Sequence, residues 1–405
     1  MNRREYLAAA VATLGAACSD APAGAAAAER PSTAPLVDGA TGVQVVTDFA
    51  DHVLARGGAE EDWGPAFEAA WAAAGAEGTD LFVPAGTYRV RPRRREGGWG
   101  PALDLVQADK YRPVRMLGPA RGAQLRVEAW PAGAPADLEV VRIRSGVRGS
   151  GGGMDTAVGA EVANLSIVNA SGGPMPPWRT PHDHRGVGIR LVGLYWAGVT
   201  GCFFQGLGCG VALGYDDARR GVSYVVRVQA CRFQYCNQAV RVPPTANGTV
   251  VRDCVLVWMH ASRTAPVAAF TCGHSTGTVL FEENHAEQCG MWVYEIGSTF
   301  NARVNGGRLE SVAGAVRVRG TGPEPARGTR IDGLSVDCDA LRGPALWIEN
   351  GVGTLVTGVI FYQSSTEHPH LRVEPRARRT TVLGLESADA PLRVSDPGGG
   401  VKRLD

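Results

Sequence analysis

The amino-acid sequence predicts an all-β fold: a right-handed, single-stranded parallel β-helix of about 10 to 12 coils with a short N-terminal capping helix. The first observation is a two-strand phrase that recurs through the chain from about residue 160. The second is that one strand of each phrase alternates apolar and polar residues with period two, as half-buried strands do. A coil of this size cannot bury its apolar face alone, so successive coils must stack.

The recurring phrase can be aligned coil by coil. Its second strand is predicted at residues 187–191, 210–213, 239–242, 291–294, 315–318, 345–348, 370–373 and 391–394. Its first strand places one interior residue of each coil in a column formed by Leu165, Cys202, Cys231, Cys254, Asn284, Gly307, Leu334, Val359 and Leu385. The spacings within this column lie between 23 and 37 residues. We therefore predict a single β-helix domain at residues 40–400.

The cysteines follow the same register. Cys202, Cys231 and Cys254 are expected one above another inside the solenoid, as a reduced stack, because free cysteine packs as a small apolar residue. A second predicted stack consists of Cys209, Cys236 and Cys289. Thiolate metal sites usually contain close Cys-x-x-Cys pairs, which are missing, so neither a metal nor a cofactor is predicted. Ca²⁺ bridging surface carboxylates remains an alternative, although no ligand loop of recognisable spacing is present.

The N-terminus reads as an export signal. Arg3 and Arg4 precede an Ala-rich apolar run that ends at Ala17, which is the layout of a twin-arginine-like signal peptide. Residues 1–30 are therefore assigned to a leader and linker. Residues 15–18 resemble a lipoprotein cleavage box with a lipid anchor at Cys18, and residues 25–28 offer an ordinary cleavage site instead. The mature protein is expected in the periplasm, outside the cell or on its surface, without a membrane span.

Charge narrows the range of partners. The chain contains 41 Lys and Arg against 40 Asp and Glu, so its formal net charge is only +1. A net charge this small produces no strong positive electrostatic field that would attract nucleic acid. Only two residues, Lys110 and Lys402, are lysines. A reaction that needs a base inside the domain would therefore use another residue type, such as histidine or arginine.

The segment before the repeat carries a recognisable order. Asp62 or Trp63 precedes Pro65 and a helical pattern that ends at Gly75 or Gly78, and the phrase Pro-Ala-Gly-Thr-Tyr follows at residues 84–88. With the downstream repeat, this order resembles the pectate-lyase superfamily of β-helix proteins over most of residues 43–395. That superfamily includes polysaccharide lyases, polygalacturonase-like hydrolases and phage tail-spike depolymerases. The resemblance implies a polysaccharide-handling protein and leaves the reaction open.

Outward positions beside the interior column predict a charged patch. Period-two alternation turns these side chains outward: Gln229, Arg232, Gln234, Arg252, Glu282, His285, Glu287, Asn305, Arg308, Glu310, Asp332 and Asp337. For β-elimination, Arg232, Arg252 or Arg308 would neutralise a uronate carboxylate while His285 removes a proton. For hydrolysis, Glu282, Glu287 and Glu310 supply a carboxyl pair. Balanced ladders on a solvated face are the structural alternative.

Two further groups are candidate substrate contacts. Residues 174–181 introduce His182, Asp183, His184 and Arg185, in a loop expected to overhang a groove and either to act on substrate, to bind a metal or simply to be solvated. The outward positions of the second strand are predicted to be Arg190, Arg241, Trp292, Arg317, Trp347, Arg372 and Arg393. Arginines with interleaved tryptophans suit an extended acidic sugar chain.

The sequence supports several functional readings. The leading one is an exported lyase that cleaves an acidic, uronate-containing polysaccharide, and the runner-up is a polygalacturonase-like glycoside hydrolase. Residues 215–217 and 273–275 faintly echo polygalacturonase phrases, but their spacing is too long, and Arg319 stands where that family has lysine. A non-catalytic glycan-binding surface protein and a uronate epimerase on the same scaffold complete the set.

Overall fold

The chain forms a solenoid of parallel strands. The computed structural model describes residues 43–404 except for 59, 120–121, 148–156, 215–222, 245, 265–267, 274–276, 321–322 and 364–366. The predicted leader and Cys18 lie outside these residues, as do Asp216, Asp217 and His274. The division into a leader and one β-helix domain thus stays a prediction.

Sheet A contains thirteen strands in the described residues, and all of them pair in parallel. With strands numbered in chain order, they are β1 (Val43–Val45), β2 (Asp80–Phe82), β7 (Val114–Leu117), β10 (Ala157–Ala163), β13 (Leu194–Thr200), β16 (Arg227–Gln229), β19 (Thr249–Arg252), β22 (Val279–Glu282), β24 (Arg303–Asn305), β27 (Arg330–Asp332), β31 (Leu355–Thr357), β34 (Thr380–Leu383) and β37 (Val401–Leu404). Each strand pairs with its counterpart in the next coil, which is the pairing that a stacked solenoid requires.

The other large sheet consists of two parallel ladders. Ladder B contains β3 (Gly86–Arg89), β8 (Ala123–Val127), β11 (Ser166–Asn169), β14 (Phe203–Gln205), β17 (Arg232–Gln234), β20 (Val255–Val257), β28 (Ser335–Asp337), β32 (Ile360–Tyr362) and β35 (Glu386–Ser387). Ladder C contains β6 (Leu103–Gln107), β9 (Glu139–Ser145), β12 (Val187–Val192), β15 (Cys209–Leu213), β18 (Val240–Val242), β21 (Phe270–Cys272), β29 (Leu346–Ile348), β33 (Leu371–Val373) and β36 (Val394–Ser395). Two long strands, β23 (His285–Ile296) and β25 (Arg308–Val318), run through both ladders and join them.

Short elements complete the described structure. A 3-10 helix spans Val46–His52, and helix α1 spans Gly64–Glu77, with Trp63 before it and left-handed Gly78 after it. Helix α1 packs against β1, β2, β6 and β7, and its function as a cap stays a prediction. Two small sheets pair β4 (Arg93–Arg95) with β5 (Gly98–Gly100) and β26 (Ala326–Arg327) with β30 (Gly351–Val352). None of the described helices is long and apolar enough to cross a membrane.

A sharp corner separates sheet A from ladder B in successive coils. The corner residue has a positive φ in Asn164, Gly201, Ala230, Asp253, Glu283, Gly306, Gly333, Gly358 and Gly384. A left-handed residue reverses the chain direction within a very short turn. The residue that follows each corner points inward, and strand pairing confirms the predicted interior column from Leu165 to Leu385.

The first predicted cysteine stack is confirmed. Cys202, Cys231 and Cys254 are buried free thiols in adjacent coils, and burial raises the pKa of Cys231 well above its usual value. The second predicted stack is wrong. Cys236 follows Leu207 in its column, with Met259 in the next coil and Cys289 after that, as the backbone hydrogen bonds show. Cys209 lies on β15, two residues after Leu207, and therefore in a different column. The prediction failed because a left-handed residue precedes each position of the Leu207 column and resets the alternation of inward and outward side chains.

Most of the predicted second strands are present, but one coil was missed. Strand β21 pairs with β18 on one side and β23 on the other, although no second strand was predicted between residues 242 and 291. Its sequence is Phe-Thr-Cys, without the Ala-Val-Arg-Val form. The last predicted strand, at residues 391–394, is shifted, because β36 spans Val394–Ser395.

Asn284 fastens two coils together inside the core. Its Oδ1 accepts a hydrogen bond from the backbone N–H of Cys254 at 3.0 Å, and its Nδ2 donates one to the carbonyl of Val251 at 3.1 Å. The side chain is fully buried. The amide thus continues the cysteine column while satisfying two backbone groups at a corner.

We expect Asn284→Ala to lower the free energy of unfolding by about 2 to 3 kcal/mol, because it leaves a buried donor and a buried acceptor unsatisfied. Urea denaturation followed by circular dichroism measures this loss. Asn305→Ala, at a partly exposed site in the next coil, is the matched control and should cost much less. An equal loss in both variants would contradict the structural role of Asn284.

Candidate active site

The outward face of ladder C carries a row of polar and aromatic side chains. Strand register aligns Thr271, Glu295, Arg317, Trp347 and Arg372 in five successive coils. Neighbours in this row are separated by the strand spacing of ~4.8 Å. The side chains of adjacent coils can therefore contact one another directly.

The prediction that Trp292 lies in the same outward row as Arg317 is wrong, because β23 contains a β-bulge. The register of β23 against β25 shifts between Cys289 and Trp292, so Trp292 lies opposite Gly314 and outside the row that contains Arg317. A bulge inserts a residue and changes the phase of the alternation. Glu295 takes the outward position beside Arg317 instead, and it was missed by the sequence analysis. Counting the alternation backward from the buried end of β23 at Ile296 would have found it.

Two tryptophans line this face. The rings of Trp292 and Trp347 have centroids 6.3 Å apart and are inclined by 37°. Trp292 lies against the adjacent strand because Gly314 has no side chain; a Cβ there would come within 2.6 Å of its ring. The guanidinium groups of Arg317 and Arg372 lie 5.0 and 5.7 Å from the Trp347 ring centroid. The result is an aromatic surface flanked by positive charge.

Two glutamates contact one arginine. Arg317 Nη1 lies 3.5 Å from Glu295 Oε2, and Arg317 Nε forms an ion pair with Glu349 Oε1. Arg319 Nη1 lies 3.8 Å from the other oxygen of Glu295. Burial raises the pKa of Glu295 above its usual value, with a further increase from Glu349; the two arginines act in the opposite direction. The site therefore contains a carboxyl with a raised pKa and a second carboxyl that contacts the same arginine.

The surface around these residues is concave. A cleft of about 240 Å³ is lined by Ala261, Gly290, Met291, Trp292, Glu295, Ala313, Arg317, Arg342, Gly343, Pro344 and Trp347. A second cleft of about 450 Å³ is lined by Arg319, Gly320, Trp347, Glu349, Asn350, Glu374, Pro375 and Arg376. Because Trp347 lines both clefts, we treat them as one depression and call it the Trp347 groove.

The segment of residues 174–185, which we call the wall segment, packs against residues that line this groove. Arg342 Nη2 donates a hydrogen bond to the carbonyl of Arg179 at 3.1 Å, and His182 N donates one to Ala261 O at 2.9 Å. The carbonyl of Trp178 approaches Gly290 so closely that a Cβ there would be 2.7 Å away. Ala261, Gly290 and Arg342 line the groove, whereas none of residues 174–185 does, so the overhang of this loop stays a prediction.

Three histidines pack together where this wall meets the solenoid. His184 Nε2 lies 2.8 Å from His260 Nδ1, and His260 Nε2 lies 3.1 Å from the carbonyl oxygen of Pro176. A carbonyl only accepts, so His260 carries its proton on Nε2 and accepts from His184 through Nδ1. The His182 ring centroid is 4.5 Å from that of His184. Burial, together with the positive charges that His260 and His182 would carry, lowers the pKa of His184 to about 3.

Asn237 holds the same cluster through the backbone. Its Oδ1 accepts a hydrogen bond from His184 N at 2.7 Å, and its Nδ2 donates to the carbonyls of His182 and His260 at 2.6 and 3.0 Å. This clamp ties the wall segment to the coil that carries His260. His184 is thus a buried structural residue, and the solvated-loop alternative does not hold for it.

The remaining loop candidates have separate environments. Asp183 Oδ1 accepts hydrogen bonds from Ser262 Oγ at 2.6 Å and Arg263 N at 2.8 Å, and the bond from Ser262 is the main cause of its lowered pKa. Arg185 is exposed. The described residues contain no group of three or more His, Cys, Asp or Glu that could hold a metal ion. Asp183 therefore fastens the wall to residues 262–264.

The predicted charged patch is divided by the corner. Arg252 and Glu282 lie on sheet A, where Arg252 Nη2 donates to Gln229 Oε1 at 3.1 Å and Glu282 accepts from Asn305 at 3.4 Å. Arg232 lies on ladder B, two coils before His285, with Val255 between them. The predicted single patch is wrong in this respect, because the coil turns between these groups and an apolar residue interrupts the column.

Only part of the predicted patch comes together. His285 pairs with Arg308, and Glu287 pairs with Glu310, on neighbouring strands of ladder B. Arg308 forms an ion pair with Glu310. Burial lowers the pKa of His285, while Glu310 and Glu287 act to raise it and Arg308 to lower it. None of these four residues lines the Trp347 groove.

Two predicted outward arginines of the second strand are placed differently. Arg190 is buried and forms an ion pair with Glu139 at 2.7 Å. Arg393 precedes β36, and its N–H donates to His370 Nδ1 at 3.0 Å. Arg241 does lie in the outward row of ladder C, one coil before Thr271. The shift in β36 accounts for Arg393. Arg190 is in register with Arg241 in the outward row, but it is buried by its contacts with Glu139 and the carbonyl of Gly214.

Comparisons with known proteins concern the fold. No protein-family model matches the chain, and no curated protein sequence matches it. Among solved structures, DFA-IIIase from Arthrobacter chlorophenolicus A6, determined without its lid in complex with GF2, superposes with a TM-score of 0.63 at 14% identity. The match covers 89% of this chain and 93% of that one.

Two other solved structures are similar. Endo-xylogalacturonan hydrolase from Aspergillus tubingensis has a TM-score of 0.57 at 12% identity and covers 90% of this chain and 95% of that one. The tailspike protein of E. coli bacteriophage HK620 has a TM-score of 0.59 at 15% identity, covering 89% of this chain and 64% of the tailspike. These matches show that the chain shares the parallel β-helix fold with right-handed β-helix proteins, as the superfamily resemblance implies.

The histidine cluster predicts an acid-sensitive stability. The pKa of His184 is about 3 in the folded state and near 6.5 in the unfolded state. The contribution of neutral His184 to the free energy of unfolding is therefore complete above pH ~6.5 and declines as pH falls toward 3. The loss can reach about 1.4 kcal/mol per pH unit. We expect His184→Gln to flatten this slope in urea denaturation between pH 7.5 and 4.5. His52→Gln, at an exposed site, should leave the slope unchanged; equal slopes in wild type and His184→Gln would contradict the assignment.

Proposed function

We propose that the protein is a carbohydrate-active enzyme that hydrolyses a glycosidic bond in the Trp347 groove. The observation that carries this proposal is the placement of Glu295 and Glu349 on the same arginine, beside Trp347 in that groove. A pair of carboxyls on either side of the scissile bond is what most glycoside hydrolases require.

The two carboxyls have distinguishable roles. Glu295, whose pKa is raised by burial, holds a proton for the leaving oxygen. Glu349 acts as the carboxylate that activates water or attacks the sugar. Arg317 touches both and fixes their relative position. Glu295 must separate from Arg317 or Arg319 as the substrate enters, because both of its oxygens face an arginine and one of them has to carry the proton toward the sugar.

The surroundings favour an acidic polysaccharide. Trp292 and Trp347 offer ring faces for sugar stacking. Arg317, Arg319 and Arg372 are ion-paired with Glu295, Glu349 or Glu374, and Arg342 and Arg376 add two further guanidinium groups to the lining of the groove. The similar structures include an endo-xylogalacturonan hydrolase, DFA-IIIase in complex with GF2 and a tailspike protein in complex with a pentasaccharide. These names support a saccharide substrate. Export follows from the predicted leader and belongs to the same proposal.

β-Elimination at a uronate is the alternative. The arginines of the groove can neutralise a uronate carboxylate, and this observation keeps the lyase hypothesis open. The predicted base, His285, does not line the groove, and its neighbours Glu287, Arg308 and Glu310 do not line it either. Hydrolysis uses groups that are already in the groove, so we favour it.

Replacing either carboxyl should abolish most of the activity. We expect Glu295→Gln and Glu349→Gln each to lower kcat at least about 100-fold, since each removes a proton donor or acceptor. The assay follows reducing ends and ultraviolet absorbance together on polygalacturonate, xylogalacturonan, inulin and alginate. Hydrolysis raises reducing ends alone, whereas elimination raises both signals.

Glu287→Gln, in the patch of ladder B, is the matched control and should retain activity. Loss of activity in Glu287→Gln or His285→Gln, with Glu295→Gln active, would move the site to that patch. Binding without turnover of any polymer would indicate a non-catalytic glycan-binding protein.

The pH profile tests the role of Glu295 as the acid. Its proton must be present for catalysis, so activity should fall as pH rises through its pKa. Arg319→Gln removes a positive charge 3.8 Å from Glu295 and should shift the alkaline limb upward by about half a pH unit or more. Arg319→Lys keeps the charge and should leave the limb nearly in place. A downward shift in Arg319→Gln would argue against this assignment.

A further inference from the structure

Trp196 is an exposed tryptophan in an unusual backbone conformation. Its side chain is 61% exposed, and its φ is +58° on β13 of sheet A. Its backbone N–H donates a hydrogen bond to the carbonyl of Tyr224 at 3.1 Å, which holds the conformation. A left-handed, bulky residue costs energy, and so does a large apolar side chain left in water. Such positions are often retained for binding.

A depression lies beside this ring. In the column of residues that passes through β13, Gly198 stands between Glu161 in the preceding coil and Arg227 in the following coil. The missing side chain leaves a gap between the carboxylate and the guanidinium. A cleft of about 480 Å³ surrounds the gap, with Trp196 and Thr200 also in its lining. This volume falls within the range of small-ligand sites, ~300 to 1,000 Å³.

The chemistry of the cleft matches a sugar ring. A pyranose has a C–H face that stacks on an aromatic ring and a rim of hydroxyl groups that need donors and acceptors. Trp196 supplies the ring, Glu161 accepts, Arg227 donates, and the Thr200 hydroxyl does either. The centre of an interface between proteins is usually depleted of charged residues. Because Glu161 and Arg227 line the same cleft as Trp196, a sugar suits this cleft better than another protein surface does.

We propose that this cleft is a second glycan-binding site, which holds a sugar ring of the polysaccharide that the Trp347 groove cleaves. The proposal rests on the proposed function. No residue that lines this cleft lines the groove. The cleft is on sheet A, and the groove is on ladder C. The coil that carries Glu295 contributes β22 to sheet A, and β13 lies three coils before β22, which is ~14 Å along the axis of the solenoid. The site would therefore hold an outlying part of the polymer and keep the enzyme attached to it.

The test compares variants in a background that does not consume the polymer. Affinity electrophoresis of Glu295→Gln is performed in gels that contain polygalacturonate, xylogalacturonan, inulin or alginate. Adding Trp196→Ala should weaken the apparent affinity for the retained polymer at least about tenfold, because stacking and the second attachment are lost together. Phe300→Ala, which removes another exposed aromatic side chain on the surface, is the matched control and should change nothing.

A second variant tests the cleft without touching Trp196. Gly198→Val fills the gap, and its Cβ would come no closer than 3.7 Å to Glu161, so the strand tolerates it. It should reproduce the loss of polymer affinity. In the otherwise wild-type chain, both variants should retain kcat on a short oligosaccharide that spans only the groove, while turnover of dilute polymer falls.

Three results would overturn the inference. The first is polymer affinity that stays unchanged in both Trp196→Ala and Gly198→Val while Glu295→Gln still abolishes turnover, an outcome that leaves the proposed function intact. The second is a change in molar mass by light scattering in Trp196→Ala, which would make this face an interface between copies of the chain. The third is a wild-type chain that neither binds nor cleaves any of the polymers, in which case the proposed function fails as well.

Discussion

Parallel backbone pairing between successive coils is the constraint on which the rest of this structure depends. Because each strand pairs with its counterpart in the next coil, every side chain acquires a neighbour ~4.8 Å above and below it. Apolar residues then form interior columns such as Cys202, Cys231 and Cys254, and polar residues form outward rows. A change of one residue in register would move a whole row to the other side of the sheet.

The proposed active site is a local departure from that regularity. A bulge in β23 changes the alternation just before the outward row, so that Glu295 joins Arg317 while Trp292 lies over Gly314. The long strands β23 and β25 pass from ladder B into ladder C as continuous strands, each with a left-handed residue inside it, Gln288 in β23 and Ser311 in β25. This arrangement places a carboxyl with a raised pKa and two aromatic rings on strands, beside a second carboxyl, Glu349, that directly follows β29.

Buried polar contacts hold the wall segment beside the groove. His184, His260 and Asn237 hold residues 174–185 against the solenoid through hydrogen bonds that are shielded from water. Such a network is strong when every member is satisfied, and it weakens when one histidine gains a proton. The same segment accepts a hydrogen bond from Arg342, a residue that lines the groove, through the carbonyl of Arg179.

The sequence by itself determined the solenoid, the interior column and the reduced cysteine stack, because a repeating apolar position has the same environment in every coil. It also identified Arg317 and Trp347 as outward residues of one row. Only the tertiary structure decided that Glu295 and Glu349 share Arg317 and that His184 meets His260, 76 residues away. It also separated Arg232 and Glu282 from His285. A local pattern reports which face a residue occupies, whereas bulges, corners and long-range contacts decide which residues meet.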